Sequence, residues 1–424
     1  MILLSWVALL VVGLTIYALI KRLETRLVLV TAGLFLCLVS CHPMAGLNAF
    51  AKSMTNSSLV MAICSSMGFA FVASYTQCDR SLVHYLASPI RGLGIFLIPV
   101  CTAITFFVNI AIPSAAGCAA AVGSTLIPVM LRAGIKPAAA AAAVLGGTIG
   151  SYLSPGTSHN PYVANMAGME VIDFIATHAT YSLMCGAILV VGVLIVCFFL
   201  GDHKGDVTAK VDESKLQKND EQFKPSVIKA LIPLVPIMIL VTGNMQWIPA
   251  LKMGVAQAML IGAILAFVVG RVNPEKFTKE FFNGMGKGYA DVMGIIISAG
   301  VFAAGLKSCG LIDAGVAALK ESNEIARWGG SLGPWMMGVI MGSGDAATLA
   351  FNETVMPHAK DFGMTIEGLG GLAFLAGALG RTMSPLAGVT IFVSVIAMVN
   401  PFEVVKRTAL PCFVAVVACA LLMV

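Results

Sequence analysis

The stretch GSGDAATLAFNET, residues 342–354, interrupts one of the apolar runs of the chain with flexible and polar residues. Gly342, Ser343 and Gly344 come first, and the carboxylate of Asp345 follows them. In a membrane protein, backbone that is not helical is tolerated at membrane depth only where it faces protein, water or a ligand. The stretch therefore predicts the tip of a re-entrant helical hairpin rather than the middle of a continuous helix.

The composition of the whole chain indicates an integral membrane protein. Of its 424 residues, 58% are apolar and only 11% are charged, whereas about 25% of the residues of soluble domains are charged. Apolar runs recur at the length of about 17–25 residues that a helix needs to cross the hydrocarbon. Because the runs are continuous rather than alternating, they favour helices over a β-barrel. The predicted fold class is an all-α polytopic membrane protein.

Matching landmarks in the two halves indicate an internal duplication. Two similar stretches, LGGTIGSYLSP and LAGALGRTMSP, end at Ser154-Pro155 and at Ser384-Pro385. Glycine and proline landmarks precede them at closely matching spacings. We therefore predict two repeats, each with scaffold helices, one re-entrant hairpin and one interrupted transmembrane helix. In chain order these are a first repeat 1–200 with hairpin 93–133 and interrupted helix 137–165, a cytoplasmic linker 201–228, and a second repeat 229–424 with hairpin 332–360 and interrupted helix 365–399.

The distribution of lysine and arginine, which favour cytoplasmic loops, predicts the orientation. The first apolar run has no basic residue before it and is followed by Lys21, Arg22 and Arg26. Both the N-terminus and the C-terminus are then predicted to lie on the periplasmic side. The first hairpin enters from the cytoplasm and the second from outside, so the two repeats are predicted to have inverted topology.

Inverted repeats with broken helices are the layout of secondary transporters, whose substrate and ion sites lie between the half-helices. The positive N-terminal ends of half-helices attract anions, and the carbonyl ends coordinate cations. Small hydroxyl and amide residues around the breaks could line such a site. The alternative is a plain proline kink whose serines bond back to the helix.

Arg381 is predicted to lie within the membrane, beside the second break. A charge at the bilayer centre costs about 2.5–3.5 kcal/mol on insertion scales, so it needs a partner or a function. Its guanidinium fork suits a carboxylate, which it can bind through two hydrogen bonds. We predict contact with an anionic substrate, and a fixed salt bridge to Asp345 or Glu353 is the alternative.

The remaining candidates are polar residues of the two hairpin tips and the two breaks. The substrate-binding candidates beside Arg381 are Thr382, Ser384, Ser114, Thr157, Ser158, Asn160, Ser343 and Gly344. The candidates for coupling to a cation or a proton are Asp345, Asn109, Ser154, Thr348 and Asn352. For Glu353 and His159 the sequence allows two alternatives, a structural role or a role in transport. The eleven cysteines show no metal-binding spacing, so no metal beyond a sodium ion is expected.

The stretch LGRTMSPLAGVTIFVSVIAMVNPFEVVKRT, residues 379–408, resembles the anaerobic C4-dicarboxylate carrier family, group C (the Dcu C type), of the ion-transporter superfamily. GSGDAA (342–347) and MGIIISAGVFAAGL (293–306) are also similar to that family. The resemblance implies a homodimer in a bacterial inner membrane, with a scaffold part and a transport part. It also implies substrates such as succinate, fumarate and malate, which are moved by uptake, efflux or exchange.

We therefore expect a secondary active transporter of C4-dicarboxylates that works by an elevator-like alternating-access mechanism. Its partners would be the substrate and the lipid bilayer, and we expect neither enzymatic activity nor nucleic-acid binding. Uptake of a dianion against an inside-negative potential is opposed by about 2.3 kcal/mol per charge per 100 mV, so it needs a cotransported sodium ion or proton. The alternatives on the same architecture are another organic anion, an amino acid, or cation/proton antiport through Asp345.

Overall fold

The structure is a computed structural model that describes residues 2–21, 23–87, 93–202, 224–244, 247–311 and 323–423. Every regular element in these ranges is helical, in agreement with the predicted fold class. The α-helices are α1 Ile2–Ile20, α2 Thr25–Val39, α3 Pro43–Met54, α4 Ser57–Tyr75, α5 Cys78–Ala87, α6 Leu97–Ala111, α7 Ala115–Arg132, α8 Pro137–Gly147, α9 His159–Ala167, α10 Val171–Phe199, α11 Val227–Leu231, α12 Val235–Asn244, α13 Val255–Gly270, α14 Pro274–Lys287, α15 Gly294–Ser308, α16 Asn323–Met341, α17 Gly344–Thr354, α18 Ile366–Thr382, α19 Gly388–Ala397 and α20 Pro401–Leu422. Short 3-10 helices lie at Gly94–Phe96, Gly150–Leu153, Ile232–Leu234, Pro249–Leu251 and Met356–Phe362, and a π-helix at Gly288–Met293 joins α14 to α15.

Several of these helices have the length and apolar composition of membrane spans. Six such stretches lie in the described ranges, namely Ser57–Tyr75, Gly94–Ala111, Ala115–Arg132, Val171–Phe199, Pro274–Ser308 and Pro401–Leu422. A bent pair, Met356–Phe362 with α18, adds a seventh if it is counted as one span. The protein is therefore a multi-span membrane protein. The predicted linker falls largely on residues 203–223, which lie outside the described residues.

The first hairpin consists of α6 and α7, which turn at residues 112–114. The hydroxyl oxygen of Ser114 accepts a hydrogen bond from the Gly117 backbone N–H (3.2 Å) and so begins α7. The side-chain amide of Asn109 donates to the carbonyl oxygen of Ile112 (2.9 Å) and closes the turn. Each arm alone is long enough to cross a membrane, so the re-entrant character of this hairpin stays a prediction. A hairpin returns the chain to the side it left, so the predicted topology is the same in either case.

The second hairpin has its tip at the predicted position, but its two arms begin and end at other residues than the predicted bounds 332 and 360. Its first arm, α16, already begins at Asn323, and its second arm, α17, ends at Thr354. Gly342 lies between them at a φ of +69°, a conformation that glycine adopts without a steric penalty. A Cβ atom on Gly342 would lie 2.7 Å from the backbone nitrogen of Ala387, so this tip packs directly against the break between α18 and α19.

The two interrupted helices break with the same hydrogen-bond pattern. The first break separates α8 from α9, and the second separates α18 from α19. The hydroxyl oxygens of Ser154 and Ser384 each accept a bond from the backbone N–H two residues on, at 3.3 Å from Gly156 and 3.2 Å from Leu386. The proline between them has no N–H to donate, which disfavours a continuous helix at either serine.

Each broken helix also approaches the first arm of its own hairpin at a glycine. A Cβ atom on Gly150 would lie 1.9 Å from the carbonyl oxygen of Phe106, and one on Gly380 would lie 2.2 Å from that of Trp335. The internal duplication of the two halves stays a prediction. The inverted orientation of the two repeats in the membrane stays a prediction.

The helices pack into two groups that have apolar cores of their own and also share one core. The larger group, which we call the hairpin body, comprises α6–α10 and α16–α20. At its centre the alanine run 138–143 of α8 is buried on all sides, because small side chains let neighbouring helices approach closely. The framework helices, α1–α4 and α11–α15, have their own cores, for example where α4 meets α13 and where α2 meets α15.

A buried ionic cluster ties one end of the hairpin body together. The carboxylate of Asp202, which is fully buried, accepts hydrogen bonds from Nε (2.8 Å) and Nη2 (3.0 Å) of Arg407. The Nζ atom of Lys136 lies 3.8 Å from the same carboxylate. All three segments are predicted to be cytoplasmic, and the structure places them at the same end of the body. Which side of the membrane this end faces stays a prediction.

Candidate functional site

Arg381 connects the two breaks. It lies in the last turn of α18, and its Nη2 donates to the carbonyl oxygen of Thr148 (3.1 Å), the C-cap of α8. The same nitrogen lies 3.4 Å from the hydroxyl oxygens of Thr148 and Thr382. Carbonyl groups at a helix C-terminus carry partial negative charge. The guanidinium therefore stabilises the end of a half-helix that belongs to the other predicted repeat.

The other terminal nitrogen of Arg381, Nη1, is buried and has no hydrogen-bond partner among the described residues. A buried donor without a partner costs about 1–3 kcal/mol, and more when it is charged. The carboxylates of Asp345 and Glu353, which sequence reasoning offered as salt-bridge partners, bond instead to His159 and Tyr162. Arg381 thus keeps one donor position that a ligand carboxylate could occupy.

Asp345 and His159 form a second connection between the two predicted repeats. Asp345 lies in the first turn of α17, and its Oδ1 is 3.1 Å from Nε2 of His159, the first residue of α9. The His159 side chain is 2% exposed, whereas that of Asp345 is 62% exposed. The imidazole stacks on the ring of Phe374, with 4.3 Å between centroids. The pair therefore joins the second hairpin tip to the first break.

Asn160 and Thr157 complete the hydrogen bonds of the first break. The Asn160 amide donates to the carbonyl oxygens of Tyr152 (2.9 Å) and Ser154 (2.8 Å). The Thr157 hydroxyl donates to the carbonyl oxygen of Ser151. A broken helix frees buried carbonyl groups, and these need donors. Both side chains thus keep the break in its non-helical form.

Asn109 attaches the first hairpin tip to the same break. Its Oδ1 accepts a hydrogen bond from the Ser151 backbone N–H (2.7 Å). Ser114, at the same tip, faces a cavity of about 520 Å³ between the hairpin and helices α4 and α5. Asp79 and Arg80 also line this cavity, and burial raises the pKa of the Asp79 carboxyl. The structure therefore places Ser114 on the framework side of the tip, facing a cavity that Arg381 does not line.

The remaining candidates of the second repeat cluster where α17 crosses α18. The Thr348 hydroxyl donates to the carbonyl oxygen of Gly344 (2.7 Å) within α17. A Cβ atom on Gly344 would lie 2.7 Å from the carbonyl oxygen of Gly377, so the N-terminus of α17 contacts α18 one turn before Arg381. The Asn352 amide is 3.4 Å from the carbonyl oxygen of Gly370, and its buried Oδ1 is unpaired among the described residues.

The candidate residues with hydroxyl groups differ in the burial and the hydrogen bonding of their side chains. Ser154 and Ser384 are buried and bond within their breaks, and the Thr382 hydroxyl donates to the carbonyl oxygen of Ala378 (2.9 Å). Ser158 caps α9 without a side-chain capping bond and is half-buried, as is Ser343 at the second tip. Within the described ranges no group of three His, Cys, Asp or Glu residues could hold a metal ion.

Glu353 lies at the boundary between the hairpin body and the framework helices. Its Oε2 accepts a hydrogen bond from the Tyr162 hydroxyl of α9. Its Oε1 lies 3.5 Å from the Cβ position of Gly300 on α15, where the Ser53 hydroxyl oxygen also approaches. This carboxylate therefore bonds within the hairpin body while it faces a framework helix.

Sequence reasoning missed four residues that shape the site. Thr148 receives the Arg381 bond, Tyr162 bonds Glu353, Phe374 supports His159, and His178 lies 3.3 Å from the amide oxygen of Asn160. A histidine within an apolar span is expensive and usually functional, so His178 could have been found from the sequence. The other three carry no local signal.

This fold and site define the class of the protein. Its described residues form a multi-span helical body in which broken helices meet at buried polar groups, as they do in membrane transporters. The chain belongs to the DcuC family of C4-dicarboxylate anaerobic carriers, whose model matches residues 15–424. This confirms the family resemblance and the prediction that the protein is a transporter and not an enzyme.

Individual relatives support the assignment. The anaerobic C4-dicarboxylate transporter DcuC of Escherichia coli K12 is 28% identical over 375 residues, which cover 85% of this chain and 78% of that relative. A transporter of Haemophilus influenzae that is named as uncharacterized is 48% identical over 280 residues, or 64% of this chain and 99% of that relative.

Two solved structures share the fold at low sequence identity. MtrF of Neisseria gonorrhoeae superposes with a TM-score of 0.63 at 13% identity and covers 91% of this chain and 85% of its own. The YdaH transporter of Alcanivorax borkumensis superposes with a TM-score of 0.60 at 15% identity and covers 88% and 86%. At this identity the likeness concerns the fold alone.

Proposed function

We propose that the protein is a secondary active transporter of C4-dicarboxylates such as succinate, fumarate and malate in a bacterial inner membrane. It moves them by uptake, efflux or exchange. The family and the name of the Escherichia coli relative support this substrate class. The position of Arg381 between the two breaks supports the same class on chemical grounds.

The observation that carries the proposal is Nη1 of Arg381, which has no partner within the ranges that the structure describes. One carboxylate of the substrate bonds this nitrogen and removes the cost of a buried charged donor without an acceptor. The other nitrogen, Nη2, is already fixed by Thr148, so the guanidinium is oriented before the substrate arrives. Orientation in advance lowers the entropic cost of binding.

The second carboxylate of the substrate interacts with the positive ends of half-helices. The N-terminus of α17, at Ser343 and Gly344, lies beside α18 one turn before Arg381. The N-terminus of α19 begins after the same break. Backbone N–H groups at a helix N-terminus bind anions readily. Ser384 and Thr382 supply hydroxyl groups around this position.

Transport follows from movement of the hairpin body against the framework helices, as in an elevator. The apolar cores within each group support such a division, and the core that α4 and α15 share with α9, α10 and α17 marks the surface between the two groups. A cavity of about 520 Å³ lies beside the first hairpin tip, between this tip and helices α4 and α5 of the surrounding structure. The two inverted repeats then present the site alternately to each side of the membrane, and two subunits associate through the framework as a homodimer.

Counterflow in liposomes tests the proposal. The full-length protein is reconstituted in vesicles loaded with unlabelled succinate, and entry of labelled succinate is followed with sodium and pH varied. Saturable counterflow that fumarate and malate inhibit is the expected result. Flux driven by sodium or pH without any organic anion would favour a cation/proton antiporter. Absence of counterflow with every dicarboxylate would refute the proposed substrate class.

A further inference from the structure

We infer that the cavity beside the first hairpin tip is a binding site for a lipophilic organic cation, and that a bound cation opposes movement of the hairpin body. The binding site does not depend on dicarboxylate transport, whereas the effect on movement rests on the proposed function. Among the described residues that line the cavity, Ser114 is the only predicted substrate-binding residue.

The cavity has the size and the walls of a small-molecule site. Its volume of about 520 Å³ lies within the range of about 300–1,000 Å³ that is usual for such sites. Phe69, Phe71 and Tyr75 of α4 supply aromatic walls, and Met67 adds a thioether. Aromatic faces attract organic cations as well as apolar groups. The apolar body of the ligand is therefore expected to lie against α4.

The charged groups of the cavity favour a cation over an anion. Asp79 and Glu280 contribute two carboxylates and Arg80 one guanidinium, so the lining has an excess of one formal negative charge. Asp79 is buried and Glu280 is half-buried, whereas Arg80 is exposed, and water and salt screen an exposed charge more than a buried one. Lys287, whose ammonium lies 5.9 Å from the centre of the Phe71 ring, is exposed and is not among the lining residues.

Asp79 is the group that binds the charge of the ligand. Its Oδ1 accepts a hydrogen bond from the Arg80 backbone N–H (2.7 Å), which fixes the carboxylate at the start of α5. In the part of the chain that the structure describes, no lysine or arginine side chain forms a salt bridge with it. Burial raises the pKa of this carboxyl, because a buried negative charge is costly. A bound cation supplies the missing partner and offsets that cost.

A ligand in the cavity would contact both groups of helices at once. Ile112 and Ser114 of the first hairpin tip and Ala120 of α7 form one wall, and these residues belong to the hairpin body. Helix α4 and Glu280 of α14, which belong to the framework, form the opposite wall. The ligand binds best to the arrangement that holds both walls at this separation. Because a ligand shifts an equilibrium towards the state that it binds better, the bound cation should slow transport without competing at Arg381.

Binding of tetraphenylphosphonium to the full-length protein in lipid nanodiscs tests the site. Tetraphenylborate, an anion of similar size and shape, is the control ligand. We expect saturable binding of labelled tetraphenylphosphonium above the level of empty nanodiscs, and no such binding of tetraphenylborate. Asp79→Asn should weaken the binding by about tenfold or more, because it removes the charge and keeps the shape of the side chain.

The matched control variant is Glu275→Gln. Glu275 lies on α14, as Glu280 does, but it is not among the residues that line this cavity. Its affinity for tetraphenylphosphonium should equal that of the wild type. Equal protein-dependent binding of the two ions, or an unchanged affinity in Asp79→Asn, would refute the site.

Counterflow of labelled succinate tests the effect on movement. Tetraphenylphosphonium should lower the maximal rate and leave the half-saturating succinate concentration unchanged, and Asp79→Asn should need about tenfold more of it for the same inhibition. A rise in the half-saturating concentration alone would place the cation at the Arg381 site and refute the inference. Binding without any inhibition would refute the effect on movement. If the wild type shows no counterflow, the proposed dicarboxylate transport is refuted, and the binding measurements still decide the cation site.

Discussion

Replacement of Arg381 by lysine should weaken dicarboxylate binding while it preserves the charge of the site. In the structure Nη2 is held by the Thr148 carbonyl, and Nη1 has no partner in the described part of the chain. Lysine has a single ammonium group on a flexible stem and lacks the rigid fork of arginine. It can bond either the α8 carbonyl or the substrate in good geometry, so the complex loses one hydrogen bond to a charged group.

The size of this loss follows from the strength of such a bond. Hydrogen bonds to charged groups contribute about 1.5–3 kcal/mol. Since about 1.4 kcal/mol corresponds to a factor of ten in affinity, Arg381→Lys should weaken succinate binding by roughly 10- to 100-fold. Arg381→Ala should have at least the same effect and should also lower thermal stability, because the Thr148 carbonyl then loses its donor.

Competition in the counterflow assay measures the effect. The concentration of unlabelled succinate that halves entry of labelled succinate is compared between the wild type and each variant. Arg132→Lys is the matched control, since Arg132 also lies in the last turn of a helix but at the exposed end of α7. An unchanged half-inhibiting concentration in folded Arg381→Lys would refute direct contact between the guanidinium and the substrate.

Three further predictions concern packing and buried charge. Gly380→Ala should lower thermal stability and counterflow, because its Cβ would lie 2.2 Å from a carbonyl oxygen of α16. Gly388→Ala is the control, because a Cβ atom there would have nothing within 4 Å. Equal melting temperatures of the two variants would contradict the argument. Asp202→Ala should cost about 3 kcal/mol, because it removes the fully buried partner of Arg407 and leaves only the more exposed Glu403. Thermal unfolding in lipid nanodiscs checks this, and an unchanged transition would refute it. Asp79→Asn should stabilise the protein at neutral pH. Burial raises the pKa of this carboxyl, so the folded state holds the proton more tightly, and the cost of ionisation appears as the pH rises above the ordinary value of about 3.9. The gain should vanish in melting curves taken at low pH, and a gain that is independent of pH would refute the cause.

The positions of the breaks could be predicted from the sequence, because their cause is local. Proline removes a backbone donor wherever it occurs in a helix, and the serine before it supplies a substitute acceptor for the next turn. The Ser-Pro pairs at Ser154 and Ser384 thus mark both interruptions, whereas prolines without a preceding serine, such as Pro128 and Pro411, lie inside continuous helices. Gly342 likewise marks a turn, because its backbone conformation is open to glycine at little cost.

The partners of the charged residues could not be predicted, because they depend on how distant segments pack. Sequence reasoning offered Asp345 as a mate for Arg381, yet the two residues bond to His159 and to Thr148. Asp345 and His159 are separated by 186 positions in the chain, and no periodicity relates them. The start of α16 at Asn323 was also missed, because the mixed polarity of that segment gives no clear helical signal.

The anchorage of Asp202 has a practical consequence for how the polypeptide can be divided. This residue lies just beyond the C-terminal end of α10, and the Arg407 bonds hold it to α20. The salt bridge between Asp202 and Arg407, together with the packing of α10 on α20, holds α10 in its position and does not depend on a covalent connection after Asp202. Two fragments severed after this point and synthesised together should find each other and reassemble in the bilayer.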